Sequence, residues 1–117
     1  MKNLLLVSLG GVAGTLARYW LSLAIPDDRS GTLAANLIGV AIASFFLVLM
    51  ERGASSELGH LLLPGFCAGM TTFSAVMVKS IEPVSGGALY LIENIILSLI
   101  IASVFIPISR KLIPAKK

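Results

Sequence analysis

Apolar residues run along this chain in four long blocks, at about 4–25, 31–50, 61–80 and 86–108, separated by short polar stretches. Each block comes close to the roughly 20 residues that a helix needs to cross a bilayer. Within a block the apolar run is continuous rather than alternating. That predicts helices, because a barrel strand would show every second residue polar. The stretch Pro26-Asp27-Asp28-Arg29-Ser30 reads as a polar turn and residues 51–60 as a polar connection. Lys79 closes the third block, with Glu82 and Pro83 just beyond it.

The third block departs from a plain lipid-facing pattern at Gly65-Phe66-Cys67-Ala68-Gly69-Met70-Thr71-Thr72-Phe73-Ser74. Glycines weaken a helix locally, and Thr and Ser hydroxyls can take over the backbone hydrogen bonds that a break would free. At membrane depth a broken helix is tolerated only where protein buries it or where it lines a polar cavity. The decamer therefore predicts a break near the middle of the third span and is the leading candidate for a functional site.

Composition strengthens the membrane reading. The 117 residues are 56% hydrophobic and 13% charged, against roughly 45–50% and 25% for a soluble domain. A single all-α domain of four transmembrane helices follows, multi-pass and retained in the cell (plasma) membrane, the inner membrane of a bacterium. The net charge of +3 does not point to nucleic acid, because most basic residues flank the apolar runs, where Lys and Arg meet headgroups. Cys67 is the only cysteine, so neither an intrachain disulfide nor a cysteine-based metal cluster is available. The N-terminus turns apolar after Met-Lys-Asn, like a signal peptide, but no cleavage site precedes the next block, so it reads as a retained first span.

Polar residues inside the spans narrow the chemistry. Gly10, Gly11 and Gly14 in the first span allow close approach of another helix. Arg18 follows, next to Tyr19 and Trp20; it reads either as an interfacial anchor or as a vestibule cation that concentrates an anion. Thr32, Asn36 and Gly39 share one face of the second span. Asn36 either bridges two helices or donates to a solute, and a role on a polar path is favoured. Tyr90, Asn94 and Ser98 form a stripe on the fourth span at i, i+4 and i+8. Glu93 lies about two turns in, near enough to the headgroups to be solvated there. His60 reads as an interfacial side chain.

These groups lack the parts of a hydrolase, since no intramembrane His stands near a Ser or Cys. They lack the ligands of a zinc site. A proton-coupled cation exporter needs a deep carboxylate in its substrate cavity, and the first span has none. Donors outnumber negative charges, which suits a small anion, and the ring edge of Phe73 is electropositive. Four short helices do not easily shield a pore on their own, so an oligomer, most simply a dimer, is expected. Four spans place both termini on one side with Lys2, Arg52, Arg110, Lys111, Lys116 and Lys117, against Arg29 and Lys79 on the other. A single preferred orientation would then have cytoplasmic termini.

Along its full length the chain resembles the Fluc (CrcB) fluoride ion channels. The resemblance rests on Gly10-Gly11-Val12-Ala13-Gly14 with Arg18-Tyr19, on Gly31-Thr32-Leu33-Ala34-Ala35-Asn36-Leu37-Ile38-Gly39, and on the decamer at 65–74, in that order. It implies an antiparallel dual-topology dimer with two fluoride pores and a structural Na+ held at the dimer centre by main-chain carbonyls. Those carbonyls map onto Ala68 and Thr71. The pore asparagine maps onto Asn36, the vestibule arginine onto Arg18 and the first pore phenylalanine onto Phe73. The hydroxyl track maps onto Thr72, Ser74 and the Tyr90, Asn94, Ser98 stripe. The chain departs from the family at Ala68, where Gly is usual, and at Val76, where a second phenylalanine is expected.

The implied function is passive export of fluoride, which lowers its cytoplasmic concentration and confers fluoride resistance. The partners implied are the fluoride ion, membrane lipid, and either an identical chain or a paralogous one in the opposite orientation; nucleic acid is not among them. A small multidrug-type exporter and a purely structural membrane subunit are the rival readings.

Overall fold

The computed structural model describes residues 1–82 and 85–115; Pro83 of the expected third connection and two of the tail lysines, Lys116 and Lys117, lie outside the described residues. The described residues are mainly helical, and four stretches are long and apolar enough to cross a membrane. Helix α1 spans Lys2–Ala24 and α2 spans Asp28–Glu51. The third span is built in pieces: α3 (Ser56–His60), a π-helical segment (Leu61–Cys67), α4 (Ala68–Met70) and α5 (Phe73–Ile81). Helix α6 spans Gly87–Leu112.

The boundaries differ from the sequence expectation where capping decides them. Asp27 accepts the backbone N–H of Ser30 at 2.8 Å, so Asp28, Arg29 and Ser30 form the first turn of α2 rather than part of a loop. Ser55 likewise accepts from Leu58 and turns the end of the polar connection into α3. Helix α6 extends to Leu112 because its last turn carries Arg110 and Lys111, which favour the carbonyl end of a helix. The π-helical segment contains Pro64, whose missing N–H removes an ordinary i→i−4 bond and lets the turn widen.

Packing of the first half of the third span depends on glycine. A Cβ on Gly10 would meet the backbone of Leu61, Gly65 and Phe66, and one on Gly14 would meet that of Phe66 and Met70. In return, a Cβ on Gly65 would meet Gly10, and one on Gly69 would meet Gly11. Helix α1 and the third span thus approach backbone to backbone. Helix α2 packs mainly on α6, and α5 lies against both.

Ion pairs mark the two ends of the bundle. Lys2 pairs with Glu57, and Arg110 pairs with Glu51 at 3.1 Å, which gathers the starts of α1 and α3 and the ends of α2 and α6. At the other end Lys79 pairs with Asp28. The outer faces of α1 and α6 stay apolar and exposed, as Leu5, Leu9, Val12 and Leu16 and then Ile92, Ile96, Leu99 and Ile100 illustrate. Such faces suit lipid or a second protein.

Candidate functional site

The break falls at Thr71 and Thr72. Thr71 has φ −85° and ψ 157°, and Thr72 has φ −152° and ψ 118°, both extended. Local chemistry closes the first half and opens the second. The N–H and the hydroxyl of Thr71 both donate to the Cys67 carbonyl at 3.0 Å. The Thr72 hydroxyl accepts the N–H of Ala75 at 3.2 Å, so Thr72 is the N-cap of α5.

Asn36 supplies what the two threonines do not. Its Oδ1 accepts the N–H of Thr72 at 2.7 Å, and its Nδ2 donates to the Thr72 carbonyl at 3.1 Å. The second Nδ2 hydrogen goes to Oδ1 of Asn94 at 3.1 Å. Both amide hydrogens are committed to protein. Asn36 is 8% exposed and Asn94 6%, and at such depth these bonds replace water that is absent. The bonds are those of the bridging reading of Asn36: it ties α2 to the break and to α6. Asn94 donates to the Tyr90 carbonyl at 2.9 Å, and its other N–H has no partner among the described residues.

Two cavities flank the break. One, of about 480 Å³, is lined by Asn36, Thr71, Thr72, Asn94 and Ser98 among apolar neighbours that include Val76. Phe73 stands at its edge and is 66% exposed, whereas Val76 is 1% exposed and forms an aliphatic wall. The other, of about 650 Å³, holds Arg18, Thr32, Thr72, Ser74 and Lys79. Thr72 borders both, and its hydroxyl lies 3.3 Å from that of Ser74. Arg18 has no hydrogen bond or ion pair to other described residues, so its guanidinium is available to this cavity.

The structure therefore brings together Asn36, Thr72, Phe73, Asn94 and Ser98 around one cavity, and Arg18, Thr72 and Ser74 around the other. Tyr90 is not brought with them. It is buried, its hydroxyl donates to the Arg29 carbonyl at 3.1 Å, and it faces a separate recess beside Glu93. A turn of 100° per residue makes the i, i+4, i+8 stripe drift by about 40° per step, so its first member leaves the face that Ser98 occupies. Glu93 is exposed.

Sequence reasoning missed Arg29 and Lys79, which it counted only as flanking charges. The Arg29 guanidinium donates to the carbonyls of Lys79 at 2.8 Å and Ser85 at 3.0 Å, and lies 5.5 Å from the Tyr90 ring. It caps the end of α5, whose last carbonyls have no helical partner. The signal that was available is the position of both charges beside polar turns, within reach of a short helix end.

Ala68 opens α4 and Thr71 caps its end, at the start of the break. Ala68 has φ −67° and ψ −35°, ordinary right-handed helix, so the Cβ that replaces the family's Gly causes no backbone strain. Among the described residues no cluster of His, Cys, Asp and Glu offers a side-chain metal site. The donor set here is neutral oxygen, which suits a hard monovalent cation such as sodium.

A four-span bundle with a broken third span and two cavities that meet at Thr72, one mainly apolar and one holding Arg18 and Lys79, has the outline of a membrane permeation protein. Residues 5–108 match the family described as CrcB-like protein, Camphor Resistance (CrcB), and the chain belongs to that family. It is 44% identical to a Chlorobaculum tepidum protein named fluoride-specific ion channel FluC, over 68% of each chain. A Rhizobium leguminosarum protein of the same name is 39% identical over 85% of this chain and 89% of its own. One from Rhizobium etli is 36% identical over 97% of this chain and 100% of its own.

Proposed function

We propose that this chain is a subunit of a passive fluoride channel. The observation that carries the reading is the arrangement at the break. Thr72 joins an Arg18-lined vestibule to a cavity walled by Asn36, Asn94, Ser98 and Phe73, in a chain whose relatives are named fluoride channels. An anion attracted by Arg18 meets the hydroxyls of Ser74 and Thr72 first. It also meets the start of α5, where the N–H groups of Phe73 and Ser74 belong to the helix's unsatisfied first turn and favour negative charge. Beyond the break the free N–H of Asn94, the hydroxyl of Ser98 and the edge of the Phe73 ring replace part of the lost hydration. Asn36 positions the break rather than spending its own donors on the ion.

No chemical step and no coupling to ATP or protons is involved. The membrane potential supplies about 2.3 kcal/mol per charge per 100 mV, enough to drive fluoride out of a negative interior. The carbonyls of Ala68 and Thr71 would hold a structural sodium ion together with the same pair from a second, antiparallel chain. Such an ion would supply a fixed positive charge that fastens the two breaks together. The exposed apolar faces of α1 and α6 leave room for that partner and for lipid.

Val76 favours a second form of the same reading, in which the partner is a paralogous chain. A wall of valine contributes no polarised edge, so one of the two paths would rely on the partner's residues. Complementation decides the matter. In cells lacking fluoride export, expression of this chain alone should restore growth in fluoride at acidic pH. Rescue only on co-expression with a paralogue establishes the paired form, and no rescue in either case overturns the channel assignment.

A further inference from the structure

Lys79 sits where a charge count along the chain would place a headgroup anchor, yet its side chain is only 11% exposed. Its ammonium pairs with Asp28, whose side chain is 79% exposed. Both residues line the same cavity as Arg18, Thr32 and Ser74. A lysine in the last turn of a helix complements the helix dipole from the surface, and burial adds nothing to that service. Here the cation is drawn inward to the wall of a cavity that already holds an uncompensated guanidinium, while its counter-charge stays in water. The backbone around it is fixed separately, because Arg29 takes the Lys79 carbonyl. Charge on Lys79 is thus not needed to hold the end of α5.

We propose that Lys79 is a second anion-recruiting cation of this vestibule and that Asp28 is a built-in competitor that restrains it. The inference rests on the fluoride-channel reading above. Two cations in a walled cavity raise the local concentration of an incoming anion more than one does. An anion that reaches the ammonium displaces the Asp28 carboxylate, which swings into solvent without being buried. The vestibule then sets the concentration range over which the channel works, and the break beyond it sets which ion passes.

The test is fluoride efflux from proteoliposomes, read as initial rate against fluoride concentration for the wild-type chain, Lys79→Met, Lys79→Arg and Asp28→Asn. Lys79→Met should raise the half-saturating concentration about three- to tenfold at low ionic strength, less at high, with the maximal rate retained. Lys79→Arg should stay near wild type. Asp28→Asn should move the half-saturating concentration the opposite way, downward. A purely structural ion pair predicts something else: loss of either partner lowers maximal rate and thermal stability alike. Shifts in the same direction, or none, overturn the proposal. Should Lys79→Met fail to fold, Asp28→Asn decides alone, and an increase or no change counts against it. A wild-type chain that conducts no fluoride either alone or with a paralogous chain overturns the channel reading itself, and this one falls with it.

Discussion

The two halves of the third span are held by different physics. Before the break, the π-helical segment and α4 lie against α1 with glycine facing backbone, at Gly10, Gly14, Gly65 and Gly69. At these four positions nothing larger than hydrogen fits without displacing backbone. After the break, α5 is fastened by side chains from α2 at both ends: Asn36 takes the N–H and the carbonyl of Thr72, and Arg29 takes the carbonyl of Lys79. Its own outer face is loose, with Phe73, Val78 and Ile81 exposed. One half is set by steric fit and the other by hydrogen bonds. The break lies where the first regime hands over to the second, which leaves α5 adjustable in its side chains while its backbone start stays fixed beside the cavities.

Substitution at the close contact should break the comparison most severely. Gly14→Ala places a methyl group on the Phe66 carbonyl, and overpacking of a rigid contact costs about 3 kcal/mol or more. Folded protein recovered in detergent should fall sharply. Gly11→Ala, whose Cβ would meet nothing within 4 Å, should leave the thermal midpoint at or above wild type.

Asn36→Ala tests the polar half. It removes three hydrogen bonds, and at about 0.6 kcal/mol each in a membrane protein the loss should approach about 2 kcal/mol. Thermal unfolding in detergent should register it together with loss of fluoride flux. Lost flux with unchanged stability would mean that Asn36 serves the solute rather than the break. Arg29→Met, which uncaps α5 but leaves the break itself intact, should cost about 1 kcal/mol. Flux should survive that change in reduced form.

The smallest effect belongs to the turn before α2. Ser30, through its side chain and then its backbone N–H, holds the Asp27 carboxyl below its ordinary value of 3.8. A carboxylate whose folded pKa is depressed contributes stability above the unfolded value and loses it as pH falls through the folded one. Asp27→Ala should therefore lower the thermal midpoint slightly near neutral pH, and the two curves should converge as pH falls through the depressed folded pKa of Asp27.

How much of this was legible follows from the range of each signal. The four spans and the break were readable because hydropathy and the Gly-Thr decamer are local properties. Asn36 was visible as a polar residue in an apolar run, but its bond to Thr72 spans 36 positions of sequence and depends on helix register. The same holds for Gly10 against Gly65 and for Arg29 against Lys79. The Tyr90, Asn94, Ser98 stripe was read as one face, and helical drift divides it. Pro64 lies inside the third block, where the sequence reading named no disturbance and the helix widens into a π turn. Long-range pairing, not local preference, is what the sequence alone did not carry.

Fluoride-electrode recording from proteoliposomes containing only this chain tests the central claim most directly. With a potassium gradient and valinomycin to carry counter-charge, fluoride should leave the vesicles rapidly and chloride should not, and Asn36→Ala should abolish the fluoride signal. Vesicles that retain fluoride even after a paralogous chain is added, or that release chloride as readily, would contradict the account.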